Sequence, residues 1–81
     1  MTRIRYTAIT SREFETIANE ANLSETQRQI MKDLCSGDLY EYAIADRLRL
    51  DPHALYRQKK LIDEKCLRVL PLLGKEYLVI K

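Results

Sequence analysis

Four times in 81 residues a helix-capping signal is followed at once by apolar residues at helical spacing, which restricts the chain to a bundle of short helices. Thr10 with Glu13 is a capping box, and Ile9 before it can staple to Phe14 after it. Phe14, Ile17, Ala18 and Ala21 then fall on one face of a helix that ends near Asn22. Ser24 with Gln27 is a second box. It leads, with Leu23 at its entry, into the stripe Ile30, Met31 and Leu34, and Gly37 closes that helix in the left-handed region. Asp38 with Glu41 predicts a third start, with Leu39, Ala43, Ile44 and Leu48 inward. Asp51-Pro52 opens a fourth helix, in which Pro occupies the first position, where its missing N–H costs nothing. That helix is expected to reach Lys65, with Leu55, Ile62 and Cys66 inward and Leu61 beside them.

The flanks carry a different period. Ile4, Tyr6 and Ala8 alternate with Arg3, Arg5 and Thr7, so residues 1–9 read as a short strand or as an N-terminal arm. After Cys66 the segments Leu67–Leu73 and Glu76–Ile80 are rich in strand formers, and Gly74-Lys75 between them suits a reverse turn. The expected fold is mainly α with a small β-hairpin, in the order strand, four helices, hairpin. It forms one domain over 1–81, with the hairpin at 67–80. Tyr40, Tyr42 and Tyr77 are expected in the core or at an interface.

Several function classes recede on composition. The chain is 46% hydrophobic and 32% charged, as a folded domain requires. No apolar run approaches the ~20 residues of a membrane span, and the first ten residues lack the continuous apolar stretch of a signal peptide. The expected location is therefore cytoplasmic and nucleoid-associated. Cys35 and Cys66 are far apart with no CxxC, so they read as buried free thiols. His53 is the one histidine, and there is no glycine-rich phosphate loop and no cluster of metal-ligand residues. An enzyme is not expected, nor is a cofactor or a metal.

The formal net charge is only +2, so any case for nucleic acid must rest on where the charges lie. Residues 39–65 hold two helices joined by a tight turn. Across 46–60, Arg47, Arg49, Arg57, Lys59 and Lys60 outnumber Asp46 and Asp51. His53, Tyr56, Arg57 and Lys60 recur at spacings of three and four, opposite Leu55 and Ile62. Arg57 has the planar fork that matches guanine O6 and N7. His53 can meet a base or a phosphate, Tyr56 a sugar or a phosphate, and Lys59 and Lys60 phosphates. Arg68 on the expected hairpin and Lys75 at its tip would meet the neighbouring backbone. Arg3 and Arg5 fit either an exposed strand face or an arm that follows a minor groove.

Ile44, Ala45, Arg47, Leu48, Leu50, Asp51, Pro52, His53, Leu55 and Arg57 together resemble the helix-turn-helix of LuxR-type regulators and of sigma-factor promoter-reading domains. Leu23-Ser24, Arg28, Ile30-Met31, Leu34 and Gly37 resemble the opening helix of the same domains, so the likeness covers roughly 23–62. The chain departs from it in three places. Arg49 stands where glycine is frequent, at a cost of ~1 kcal/mol if its φ is positive. Lys59 stands where an apolar residue is usual, and the expected hairpin replaces a final helix. That hairpin resembles the wing of MarR-type proteins. The resemblance implies a winged helix-turn-helix regulator that binds double-stranded DNA as a homodimer. The other class consistent with the sequence is a winged-helix module that binds a protein of a transcription or replication complex.

Overall fold

A computed structural model describes residues 2–80; Met1 and Lys81, the ends of the expected 1–81 domain, lie outside the described residues. Strand β1 (Arg3–Ile4) leads through a 3-10 turn (Tyr6–Ala8) into four helices. These are α1 (Ser11–Glu20), α2 (Glu25–Ser36), α3 (Glu41–Arg47) and α4 (Pro52–Val69). A second 3-10 turn (Glu76–Leu78) and strand β2 (Val79–Ile80) follow. The architecture is mainly helical, with a small two-stranded antiparallel sheet.

Three of the four helix starts are made by the side chains that the sequence nominates. Thr10 accepts the Glu13 N–H at 3.2 Å while Glu13 accepts the Thr10 N–H at 3.0 Å. Ser24 and Gln27 repeat the exchange at 3.2 and 3.0 Å. Asp51 accepts the Ala54 N–H at 2.8 Å ahead of α4. Helix α3 is the exception, because its N-cap is Tyr40 and no side chain caps it. The expected Asp38–Glu41 box is not formed. Gly37, at φ 69°, reverses the chain, and the Asp38 amide donates to Ser36 Oγ at 3.3 Å. Three residues are spent on this reversal, and the Glu41 carboxylate turns instead to Lys59. A Cβ at 37 would also lie 2.9 Å from Thr7 Cγ2, so that exposed methyl would have to turn aside.

Helices α1 and α3 end alike. Asn22 (φ 55°) and Arg49 (φ 57°) are left-handed. In each case the following amide returns to the last turn, Leu23 to Ala18 at 3.1 Å and Leu50 to Ala45 at 2.8 Å.

The expected hairpin over 67–80 does not form. Residues 67–69 extend α4, and the Leu73 amide still donates to the Val69 carbonyl at 3.0 Å. Cys66, Leu70 and Leu73 continue the helical stripe of Leu55 and Ile62, so burying that stripe outweighs the strand preference of single residues. Gly74 (φ 71°) closes this helical end rather than a strand turn, with the Lys75 amide bonding the Leu70 carbonyl at 2.9 Å. The sheet joins the two chain ends instead, β1 to β2, in the register Arg3 with Ile80 and Ile4 with Val79.

Ile17, Ile30, Met31, Ile44, Ile62, Leu70 and Leu78 are fully buried and draw on every helix and the C-terminal turn. Leu39, expected inward, is exposed, as are Tyr40, Tyr42 and Tyr77. Polar ties cross the core margin. The Tyr6 hydroxyl donates to Asp63, and Gln27 donates to Gln58 at 3.1 Å while accepting from Lys65 at 2.9 Å. These contacts fix the N-terminal turn and α2 against α4.

Candidate nucleic-acid interface

Helix α3 packs on α4 through Ile44, Ala45 and Leu55, all buried. Ala45 keeps the two helices close, and Leu48 and Leu50 pack against the core on either side of Arg49. With Leu55, Ile62 and Cys66 turned inward, the opposite side of α4 is open. His53, Tyr56, Arg57 and Lys60 lie there, all exposed, over about two helical turns or ~10 Å. Among the described residues none of the four, nor Arg49, makes a side-chain hydrogen bond or ion pair. The Asp51 carboxyl beside this row is held below its usual range, chiefly by the Ala54 amide and further by the His53 amide and the nearby Arg57 charge.

The other nominated cations are placed differently. Arg47 is engaged by Asp33, with Nη2 at 2.7 Å from Oδ1 and Nε at 3.1 Å from Oδ2. Lys59 is half-buried and ion-paired with Glu41. Arg68 is exposed but lies on the last turns of α4, eleven residues or ~16 Å beyond Arg57, and not on a hairpin. Lys75 is half-buried at the entry to the second 3-10 turn, with Nζ 3.5 Å from Glu13 Oε2. The Tyr77 hydroxyl donates to the same carboxylate. The Thr10 amide above all, then Lys75, holds the Glu13 carboxyl below its usual range. Arg68 and Lys75 therefore do not form the backbone-contacting wing that the sequence suggests. Arg3 lies on β1 and Arg5 just after it, both exposed.

Asp33 and Glu41 are the participants that sequence reasoning misses. A signal for Asp33 exists: it sits three positions after Ile30, on the inward stripe of α2, where a carboxylate demands a cation. Glu41 gives no such signal, because the capping box offers it a nearer use. Tyr40 and Tyr42 flank it and stack with centroids 5.8 Å apart, each 74% exposed.

Both thiols are poorly suited to chemistry. Burial pushes Cys66 up to about 12 and Cys35 up to about 11, so neither forms a thiolate near neutrality. Among the described residues there is no group of three His, Cys, Asp or Glu side chains placed to hold a metal, and no helix long and apolar enough to cross a membrane. No family model matches the chain, and neither a curated protein nor a solved structure is significantly similar to it.

Proposed function

We propose that this chain is a helix-turn-helix protein that binds duplex DNA with the N-terminal half of α4. The observation that carries this reading is the solvent-facing row His53, Tyr56, Arg57 and Lys60, unpaired beside a tight left-handed turn. A helix face of this kind fits a major groove about 12 Å wide. Arg57 reads guanine, and Lys60 and Arg49 contact phosphates. His53 and Tyr56 meet the backbone or a base near the helix start. The Asp33–Arg47 and Glu41–Lys59 ties hold α3, and so the turn, in place. The terminal ribbon carries an exposed Arg3, a cation available for a further backbone contact. Regulation of transcription as a homodimer on the nucleoid is the role that this binding implies, since one reading helix offers few base contacts.

Selection of bound sequences from a random duplex pool tests this reading. An enriched motif lost on Arg57→Ala supports it, with ~1–3 kcal/mol lost at one base position. Affinity unaltered by Arg57→Ala removes the base reader.

One observation favours a second reading, a protein-interaction module. The stacked Tyr40–Tyr42 pair and the adjoining Leu39 are exposed, and interfaces favour aromatic side chains. Salt separates the two readings: phosphate contacts weaken steeply as salt rises, whereas an aromatic patch responds little.

A further inference from the structure

Beyond Lys60, α4 presents a second exposed row. Leu61, Glu64 and Arg68 recur at spacings of three and four, so they share one side of the helix, and all three are exposed. The helical turn continues past Val69 through the Leu73 amide, which brings Leu72 to the end of the same row. Leu72 is 82% exposed, more than any other large hydrophobic residue of the core-forming kind. A single exposed leucine means nothing by itself. The order of the row does mean something: it reads apolar, acidic, basic, apolar, and its two pairs centre within half a residue of each other, Glu64 with Arg68 on Cys66 and Leu61 with Leu72 between Cys66 and Leu67.

We propose that a second copy of this chain docks here, α4 antiparallel against α4. In that arrangement Leu61 faces Leu72 of the second copy and Glu64 faces its Arg68. The twofold axis then repeats each contact, as an isologous interface demands. The charges complement each other, and among the described residues neither Glu64 nor Arg68 has a side-chain partner within its own chain. A cleft of about 290 Å³ between the end of α1 and α4, lined by Glu20, Ala21, Asn22, Lys65, Arg68 and Val69, borders the row beside Arg68 and keeps that end of the row open. Leu61 and the ribbon-side residue Asp63 lie on different sides of α4, so the terminal ribbon that holds Tyr6 against Asp63 does not cover the row.

The seam stands on its own residues and shares with the DNA reading only the expectation of a dimer. The two are nonetheless compatible. The reading row centres about ten residues from the twofold axis, or ~15 Å, which sets the two rows ~30 Å apart along the helix direction. Successive major grooves on one side of DNA lie ~34 Å apart.

Three helical turns make an interface smaller than the ~800 Å² per partner of a standard complex, so weak association is expected. Sedimentation equilibrium of the full chain without DNA, from micromolar to millimolar concentration, tests the seam. The wild type is expected to dimerise. Glu64→Arg alone and Arg68→Glu alone should each weaken association at least ~10-fold through like-charge contacts, and the double swap should restore it to within ~3-fold. Helical circular dichroism checks that each variant is folded. Should either swap unfold the chain, Leu72→Asp in the exposed turn replaces it, with the same loss expected. A wild type that stays monomeric overturns the proposal, as does a dimer indifferent to the swaps or a double swap that fails to restore it. Wild-type binding to duplex DNA, read separately, keeps the two proposals apart: a dimer with no duplex binding refutes only the DNA reading, and duplex binding by a strict monomer refutes only the seam.

Discussion

Arg47 grips Asp33 through two nitrogens, with Nη2 2.7 Å from Oδ1 and Nε 3.1 Å from Oδ2, and so ties the last residue of α3 to the last turn of α2. Asp33 is buried, whereas the Arg47 side chain is 48% exposed, so water screens one end of the pair. The two partners are therefore not equivalent. Asp33→Asn leaves a cation that water can solvate, and should cost about 1–2 kcal/mol. Arg47→Ala leaves a buried carboxylate without its cation, and should cost more, about 2–3 kcal/mol. Urea unfolding of both variants checks the order. Equal or reversed losses would mean that the pair does not anchor the turn.

Arg49 pays a conformational cost next to the proposed interface, since its φ is 57° and it has a side chain. Arg49→Gly relieves ~1 kcal/mol of left-handed strain and loses part of that gain to a freer unfolded chain. A net stabilisation of about 0.5 kcal/mol is expected in thermal melts. Duplex affinity should fall in the same variant, with the salt slope shallower by about one. Stability and binding thus move in opposite directions, which a purely structural arginine would not produce.

Tyr6 ties the N-terminal turn to α4 through its hydroxyl bond to Asp63. Burial first, then the Asp63 hydrogen bond and charge, push its ionisation far above the ordinary tyrosine value. A group whose folded pKa is raised gives stability that is fully present below its unfolded pKa and is lost as pH rises past it. For Tyr6 that loss begins near pH 10, and Cys66 and Cys35, both raised from 9.0, begin theirs about one unit lower. Tyr6→Phe should cost about 1 kcal/mol at neutral pH. It should also flatten the fall in stability above pH 10. Parallel alkaline melts of the variant and the wild type would contradict the role given to this hydroxyl.

Glu41 neutralises Lys59 at the edge of the reading row. Glu41→Gln frees the ammonium and should tighten duplex binding by at most about fivefold, the worth of a surface ion pair. Weaker binding in this variant would instead mean that the pair orients α3 for contact.

The capping chemistry of α1, α2 and α4 was legible because each box is local, closed within three residues. The start of α3 was not, since the reversal at Gly37 and the pairing of Glu41 with Lys59, 18 positions away, override the Asp38–Glu41 pattern. The C-terminal segment misled for a related reason. Leu67–Leu73 satisfies a strand preference and a helical stripe at once, and the partner that β1 takes lies at the far end of the chain. The exposure of His53, Tyr56, Arg57 and Lys60 followed from their phase against Leu55 and Ile62. The engagement of Arg47 did not, because its partner lies 14 residues away on another helix.

Fluorescence anisotropy of a labelled duplex across a salt series tests the proposed interface most directly. If Arg49 and Lys60 contact phosphates while Arg57 reads a base, log affinity falls against log salt with a slope of about −2 per chain. Lys60→Ala then removes about one from that slope. Absence of binding at low salt, or binding with a flat salt response, would contradict the assignment of this face of α4 to DNA.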